Sequence, residues 1–497
     1  MKNITVGASL IALSLAGTAS AQLVPSAPPL SSPLADCVGT GGNCSDIEQV
    51  GNNDTATVTQ DGTGVSKADI DQAGTGAKNT ATVDQTSIAG SANEARIVQT
   101  AASEGNTATI TQTGEGNLAG TTQSADGSFA TTTQTGDGNS SAIEQFDFMD
   151  LASGMTTTVT QGGDQNVSTV NQLGFGSNVT VNQTNAIAEV EGNASTVYQA
   201  GIGATVTVDQ IGQTNASTVL QLAASATVDV DQTGTGNESF VGQAALGSFV
   251  TVKQGQTDGT SSGNEASAIQ VAAGSRVDIA QDGSTNHAGV LEIADNSTVN
   301  IDQDGTGNQA RVGQAFAASI PGLVAGLFVN ENSDTEIDQI GTGNETTVAQ
   351  LGTNQYAKVT QDGTGNFVET LDGGAGIVQI GDDQDARVSQ SNEGNRSVIR
   401  QGIVDDVVDL LSGGNLAEAT QDGLDGSSTI EQAGTGNTAK LVQLATATDA
   451  VSFVTQQGSD NFASVAQGGA GNLSTINQDG TGNVALVGQN ATLPTGP

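Results

Sequence analysis

The most regularly spaced residues with any chemistry to offer are amides. Glutamines recur every 11 residues, unbroken from Gln199 through Gln210, Gln221, Gln232 and Gln243 to Gln254. The same step runs from Gln112 through Gln123 and Gln134 to Gln145, and from Gln456 through Gln467 and Gln478 to Gln489. Glu292 fills one glutamine slot between Gln281 and Gln303. A carboxamide is neutral and carries one acceptor oxygen and two N–H donors. Its chemistry is reciprocal hydrogen bonding, and identical amides stacked ~4.8 Å apart satisfy one another along the stack.

The other reactive types lack partners. His287 is the only histidine; with no second His or a Cys beside it, it makes neither a zinc site nor an acid–base pair, and its Asn-His-Ala context predicts a solvated turn. Carboxylates are plentiful but scattered. Gly62-Thr-Gly64 and its repeats precede strand-like rather than helix-like text, so they predict turns and not phosphate loops. Asp-Gly-Thr-Gly-Asn at Asp304 and Asp479 is similar to calcium-binding β-roll text, but the period there is nine residues and here it is 11. The sequence thus predicts no catalytic residue, no cofactor and no resident metal. Cys37 and Cys44 are the only cysteines; in an oxidising compartment they can close a small loop, the alternative being two unpaired thiols.

Composition sets the same bounds. The 497 residues carry 12 basic and 53 acidic side chains, a net charge of -41, which argues against nucleic acid as a partner. Self-repulsion at that charge keeps a free chain soluble and delays association. Lys253, Arg276 and Arg387 read as gatekeepers against aggregation or as ordinary solubilising residues. Gly accounts for 67 residues, aromatics for 3%, and there is no Trp. That is too little bulk for an ordinary globular core.

The elements that must hold the glutamines follow from a period of two. In Ala56-Thr-Val58-Thr-Gln60, residues 56, 58 and 60 share one face of a strand, and Thr55, Thr57 and Thr59 the other. The wider frame is Q-x-G-x-x-N-x-A-x-x-x-Q, as in Gln303, Gly305, Asn308, Ala310 and Gln314. It recurs from Gln432 through Asn437 to Gln443 and from Gln478 through Asn483 to Gln489, and Gln232, Asn237 and Gln243 hold its amide slots. Gly-x-Gly-Asn is a turn that needs positive φ. Two strands of five to six residues and two turns then make one coil of about 22 residues, in two 11-residue halves. The expected fold is all-β: a two-strand-per-coil β-solenoid with cross-β stacking. Gln60, Gln112, Gln134, Gln232, Asn237, Gln243, Gln303, Asn308, Gln314, Gln432, Asn437, Gln443, Gln478, Asn483 and Gln489 are its expected inward ladder residues.

The frame resembles the curlin repeat, the unit of curli fibre subunits, from about Gln49 to Gln489. The resemblance implies export through an outer-membrane pore, nucleated polymerisation on a bacterial surface, and a role in biofilm matrix, adhesion and attachment. Residues 1–21 read as a secretory signal peptide, with Lys2, an apolar Ile4–Ala16 and cleavage before Gln22. Residues 22–46 form a non-repeat leader, 47–489 the repeats, and 490–497 a tail. Insertions fall near 146–158, 315–335, 367–377 and 402–418. Ala315–Val329 is too short and too broken by Pro321 to span a bilayer. Ile403–Leu411 fits a short amphipathic helix. No transmembrane segment is expected.

With no cap in sight after Gln489, an open solenoid end would template the next molecule, giving a head-to-tail homopolymer. The rival is a monomeric solenoid that binds a surface, such as ice, through outward Thr rows or acts as an adhesin rod. Asp, Glu and Asn in the outward positions predict broken rows.

Overall fold

The computed structural model describes residues 42–491 except 75–77, 89, 101–104, 147–153, 186–190, 256–260, 315–330, 370–375, 405–406 and 409–411. The expected signal peptide, most of the leader, Cys37, the apolar 315–329 segment and nearly all of the tail lie outside the described residues. Every regular element among the described residues is a strand. They divide into two compact units, Met1–Gly263 and Asn264–Pro497.

Each unit is a two-sheet parallel β-solenoid. In the first, Ala194–Ile202 lies in one sheet, Thr205–Gln213 in the other, and Ala216–Ala224 returns to the first. Ala194 pairs with Ala216 and Gln199 with Gln221, while Thr205 pairs with Thr227 and Gln210 with Gln232. In the second unit, Leu416–Gln421 pairs in register with Thr438–Gln443, and Ser427–Thr435 with Val451–Ser459. Ladder partners are 22 residues apart where nothing intervenes, and 23 to 36 apart where a turn is lengthened. The added residues leave the register untouched, because only the corners absorb them.

Alternation buries Ser195, Val197 and Gln199 and turns Thr196 and Tyr198 outward. The interior is therefore a layer of small, β-branched and amide side chains: Ala81, Val83, Gln85, Ala108, Ile110 and Gln112 are all fully buried. Val and Ile suit a pleated surface and contribute about 1.5–3 kcal/mol each when fully buried. Small side chains let two sheets meet closely, which is how a chain with so few aromatics acquires a core.

Strands reach nine residues rather than the expected five to six. In these longer strands the residues after the Gln remain in the ladder: Gly212 still pairs with Gly234. The corner is correspondingly abrupt. Gly234 has φ 117°, and a Cβ there would sit 2.1 Å from the backbone oxygen of Ser261. At corners without Gly, Thr214 and Thr285 take positive φ themselves, 53° and 55°.

One expectation is overturned. Ile403–Val404 pairs antiparallel with Val407–Val408, where a helix was expected. All four are β-branched and favour extended backbone. Strands also occupy the edges of the expected insertions: Thr156–Gly162, Asp334–Thr342, Phe367–Val368, Ile377–Asp382 and Leu416–Gln421.

Candidate functional site

The repeated amides form columns along the stack. Residues 11 apart stand on opposite sheets, so each Gln meets the Gln of the next coil. Gln210 Nε2 donates to Gln232 Oε1 (2.7 Å), and Gln232 Nε2 to Gln254 Oε1 (2.8 Å). The second N–H crosses to the other sheet: Gln210 Nε2 reaches Ala194 O and Gln232 Nε2 reaches Ala216 O, both at 3.0 Å. One oxygen and two N–H groups are thereby used with no water, which is the condition for burying an amide at little cost.

The same geometry holds along both units. Gln60 donates to Gln85, Gln112 to Gln134, and Gln134 to Gln161. Gln221 donates to Gln243, Gln303 to Gln339, and Gln314 to Gln350. Gln432 donates to Gln456, Gln443 to Gln467, Gln456 to Gln478, and Gln467 to Gln489. Every one of these bonds points from the lower to the higher residue number, so each column is polar.

Asparagines line a corner. The Asn237 N–H donates to Asn215 Oδ1 (3.1 Å), and Asn237 Nδ2 to Thr233 O (3.0 Å). Asn308 N–H meets Asn286 Oδ1 (3.0 Å), and its Nδ2 meets Gly341 O of the next turn. In the second unit the asparagine column changes corner. It runs through Asn344, Asn366 and Asn395, each side-chain oxygen accepting the next residue's N–H, and ends on the Gly426 N–H. On the other corner Asn415 Nδ2 takes up Gln384 Oε1, and the column continues through Asn437, Asn461 and Asn483.

Sequence reasoning missed a set of buried hydroxyls. Thr157 bonds to Gln172 Oε1, Thr335 to Gln350 Oε1, Thr346 to Gln361 Oε1 and Ser452 to Gln467 Oε1, all at 2.7–2.9 Å. The signal was a hydroxyl residue at the inward small-residue slot, two positions before the β-branched residue. His287 was also misplaced: it opens the strand His287–Glu292, and its Nδ1 lies 3.0 Å from Glu265. Cys44 is disulfide-bonded. Among the described residues no group of three or more His, Cys, Asp or Glu gathers around a common point.

The outward face of the first unit is more regular than its text suggests. Thr57, Thr82, Thr109, Thr131, Thr158, Thr180 and Thr207 form one unbroken column of register partners. The row breaks only at Asp229.

The curlin associated repeat family matches residues 104–136, 224–255 and 331–363. Three stretches of the chain are thus similar to the curlin associated repeat. In the second of them lie Gln232, Asn237 and Gln243, and in the third Gln339, Asn344 and Gln350, so the matched stretches contribute rungs to the amide columns. No curated protein matches the chain. Among the described residues no helix is long and apolar enough to cross a membrane, every regular element there being a strand.

Proposed function

We propose that this chain is a secreted structural subunit that adds head to tail into extracellular curli-like amyloid fibres, serving biofilm matrix, adhesion and surface attachment, and that it has no catalytic role. The supporting observation is the complementarity of two sheet edges. At the low-numbered edge, Gln49 and Gln60 donate onward to Gln72 and Gln85, and among the described residues nothing donates to their own Oε1 atoms. At the high-numbered edge, Gln478 and Gln489 accept from Gln456 and Gln467, and each keeps one N–H without a ladder acceptor. Acceptors stand at one edge and donors at the other.

The side chains agree. Setting Gln478 against Gln49 of a second copy puts Ile476 on Ile47 and Ser474 on Ser45; setting Gln489 against Gln60 puts Val487 on Val58 and Ala485 on Ala56. Ile47 is 43% exposed, while Ile70, its counterpart one coil inward, is fully buried. Open sheet edges template further strands.

On this reading the chain leaves a Gram-negative cell by the signal peptide of residues 1–21 and an outer-membrane pore, and a nucleator subunit starts growth. The test is to incubate purified residues 22–497 and follow fibrils by microscopy, dye binding and cross-β diffraction. Fibres are expected, forming faster in salt, which screens the charge of -41. Chain that stays monodisperse for days would sink the assembly claim. The unbroken Thr column from Thr57 to Thr207 favours a second reading, a surface-binding face; thermal hysteresis by non-fibrillar chain would put that reading first.

A further inference from the structure

One column in the Asn264–Pro497 unit breaks the ladder's own rule. The strands Glu265–Gln270, His287–Glu292 and Gln309–Gln314 pair in parallel, with Gln270 opposite Glu292 and Glu292 opposite Gln314. Gln270 Nε2 donates to Glu292 Oε2 (2.8 Å), as a glutamine would to a glutamine. The next rung calls for an N–H from residue 292 to Gln314 Oε1, and a carboxyl group has none. Glu292 Oε1 and Gln314 Oε1 are both buried, and among the described residues neither has a hydrogen-bond partner.

Turning the Gln314 amide over does not repair the fault. Its Nε2 is held by three oxygens, Ser333 O at 3.0 Å, Thr335 Oγ1 at 3.1 Å and Gln350 Oε1 at 2.8 Å. A flip would set Oε1 among those oxygens instead. The nearby Ser275 hydroxyl gives its proton to Ala294 O (2.6 Å). Two buried acceptors on successive rungs are costly unless a hydrogen lies between them.

We propose that Glu292 is a neutral carboxylic acid whose Oε1–H donates to Gln314 Oε1, and that this coil is a proton-locked joint that loosens when its surroundings turn alkaline. Ionisation would leave a buried carboxylate whose free oxygen faces another acceptor, at a position where every neighbouring coil carries a closed amide bond.

The charged groups around the joint do not offset that ionisation. On the same sheet Glu265, His287 and Arg311 are exposed and outward. On the opposing strands Arg276, Asp278 and Asp282, and Asp302 and Asp304, lie on the outward side of the alternation. Asp295 in the following turn is a like charge. Burial pushes the Glu292 carboxyl up to about 8, outweighing the hydrogen bond from Gln270, and Asp295 adds to the rise. An unfolded Glu ionises near 4.5. Between those values the folded chain holds one more proton than the unfolded chain. Stability therefore falls as pH rises through that window and levels off above about 8.

The test uses soluble full chain and E292Q, which restores the ladder's own residue. Infrared spectra of the folded chain at pH 6.5 should show a protonated carboxyl band that titrates away near pH 8 and is absent from E292Q. Asp302, Asp338, Glu369 and Asp385 in the same unit, and Asp229 in the other, are also raised, chiefly by burial, so denaturation is read as a difference. The ratio of wild-type to E292Q folding constants should fall by roughly 10³-fold from pH 4.5 to 8. No such band in the wild type at pH 6.5, or parallel pH curves for the two proteins, would overturn the proposal.

Discussion

The column Gln199–Gln221–Gln243 in the first unit and the column Gln270–Glu292–Gln314 in the second share one backbone register and differ at one group on the middle rung. In the first, Gln221 accepts from Gln199 and donates to Gln243, both at 2.9 Å. In the second, the middle residue accepts and has no N–H to pass on. The difference teaches that the ladder depends on each rung being donor and acceptor at once. A side chain of nearly the same shape suffices for packing and fails for the hydrogen bond unless a proton is added.

The largest effect should come from copying the fault. Gln221→Glu removes donors to Gln243 Oε1, Thr205 O and Ala226 O. Ala226 O keeps the Thr205 N–H, so at most two acceptors lose their partner; at about 1–3 kcal/mol each, the loss at neutral pH should be about 2–6 kcal/mol. Part of it should return as pH falls and the new carboxyl takes up a proton. Chemical denaturation at pH 5 and pH 8 measures both; a pH-independent loss would break the parallel with Glu292.

Next come the corner asparagines. Asn215→Ala and Asn286→Ala each orphan the N–H of the next Asn, Asn237 or Asn308, and should cost about 1–3 kcal/mol whatever the pH. Equal losses would confine the pH sensitivity to the glutamine slot; a pH-dependent loss at Asn286 alone would extend it to the whole coil.

Relief of corner strain should be smaller and of opposite sign. Thr285 sits one residue before Asn286 with positive φ, as Thr214 does before Asn215. Thr285→Gly and Thr214→Gly should each stabilise by about 1 kcal/mol, read as a shift in unfolding midpoint. The smallest effect is expected at the surface. Lys358 and Glu336 pair at 2.8 Å but are 39% and 40% exposed, so Lys358→Ala should change stability by less than about 1 kcal/mol.

Much of this architecture was legible beforehand. Period-two text and the 11-residue glutamine step predicted the inward face, because alternation and parallel register leave an in-line amide no other place to go. The helix expected at Ile403–Leu411 failed because a short apolar run reads alike at both periods, and β-branching decided for extended backbone. Strand lengths were underestimated because Gly after Gln was read as leaving the ladder, whereas a neighbour with Gly in the same slot keeps it paired, as Gly212 does with Gly234. The Thr column from Thr57 to Thr207 was hidden by turns of unequal length, which put its members at unequal sequence steps.

What the sequence determined alone was local and repetitive: which residues face inward, where the backbone must turn, and that amides rather than catalytic side chains carry the chemistry. What tertiary structure decided was who meets whom. Residues 22, 27 or 36 positions apart become neighbours only when a coil closes. The direction of every amide bond, the corner change at Asn395 and Asn415, and the buried, unpartnered oxygens of Glu292 and Gln314 all belong to that closure. The physical reason is that a hydrogen bond is a relation between two groups, and no single position in the text records the orientation of its partner.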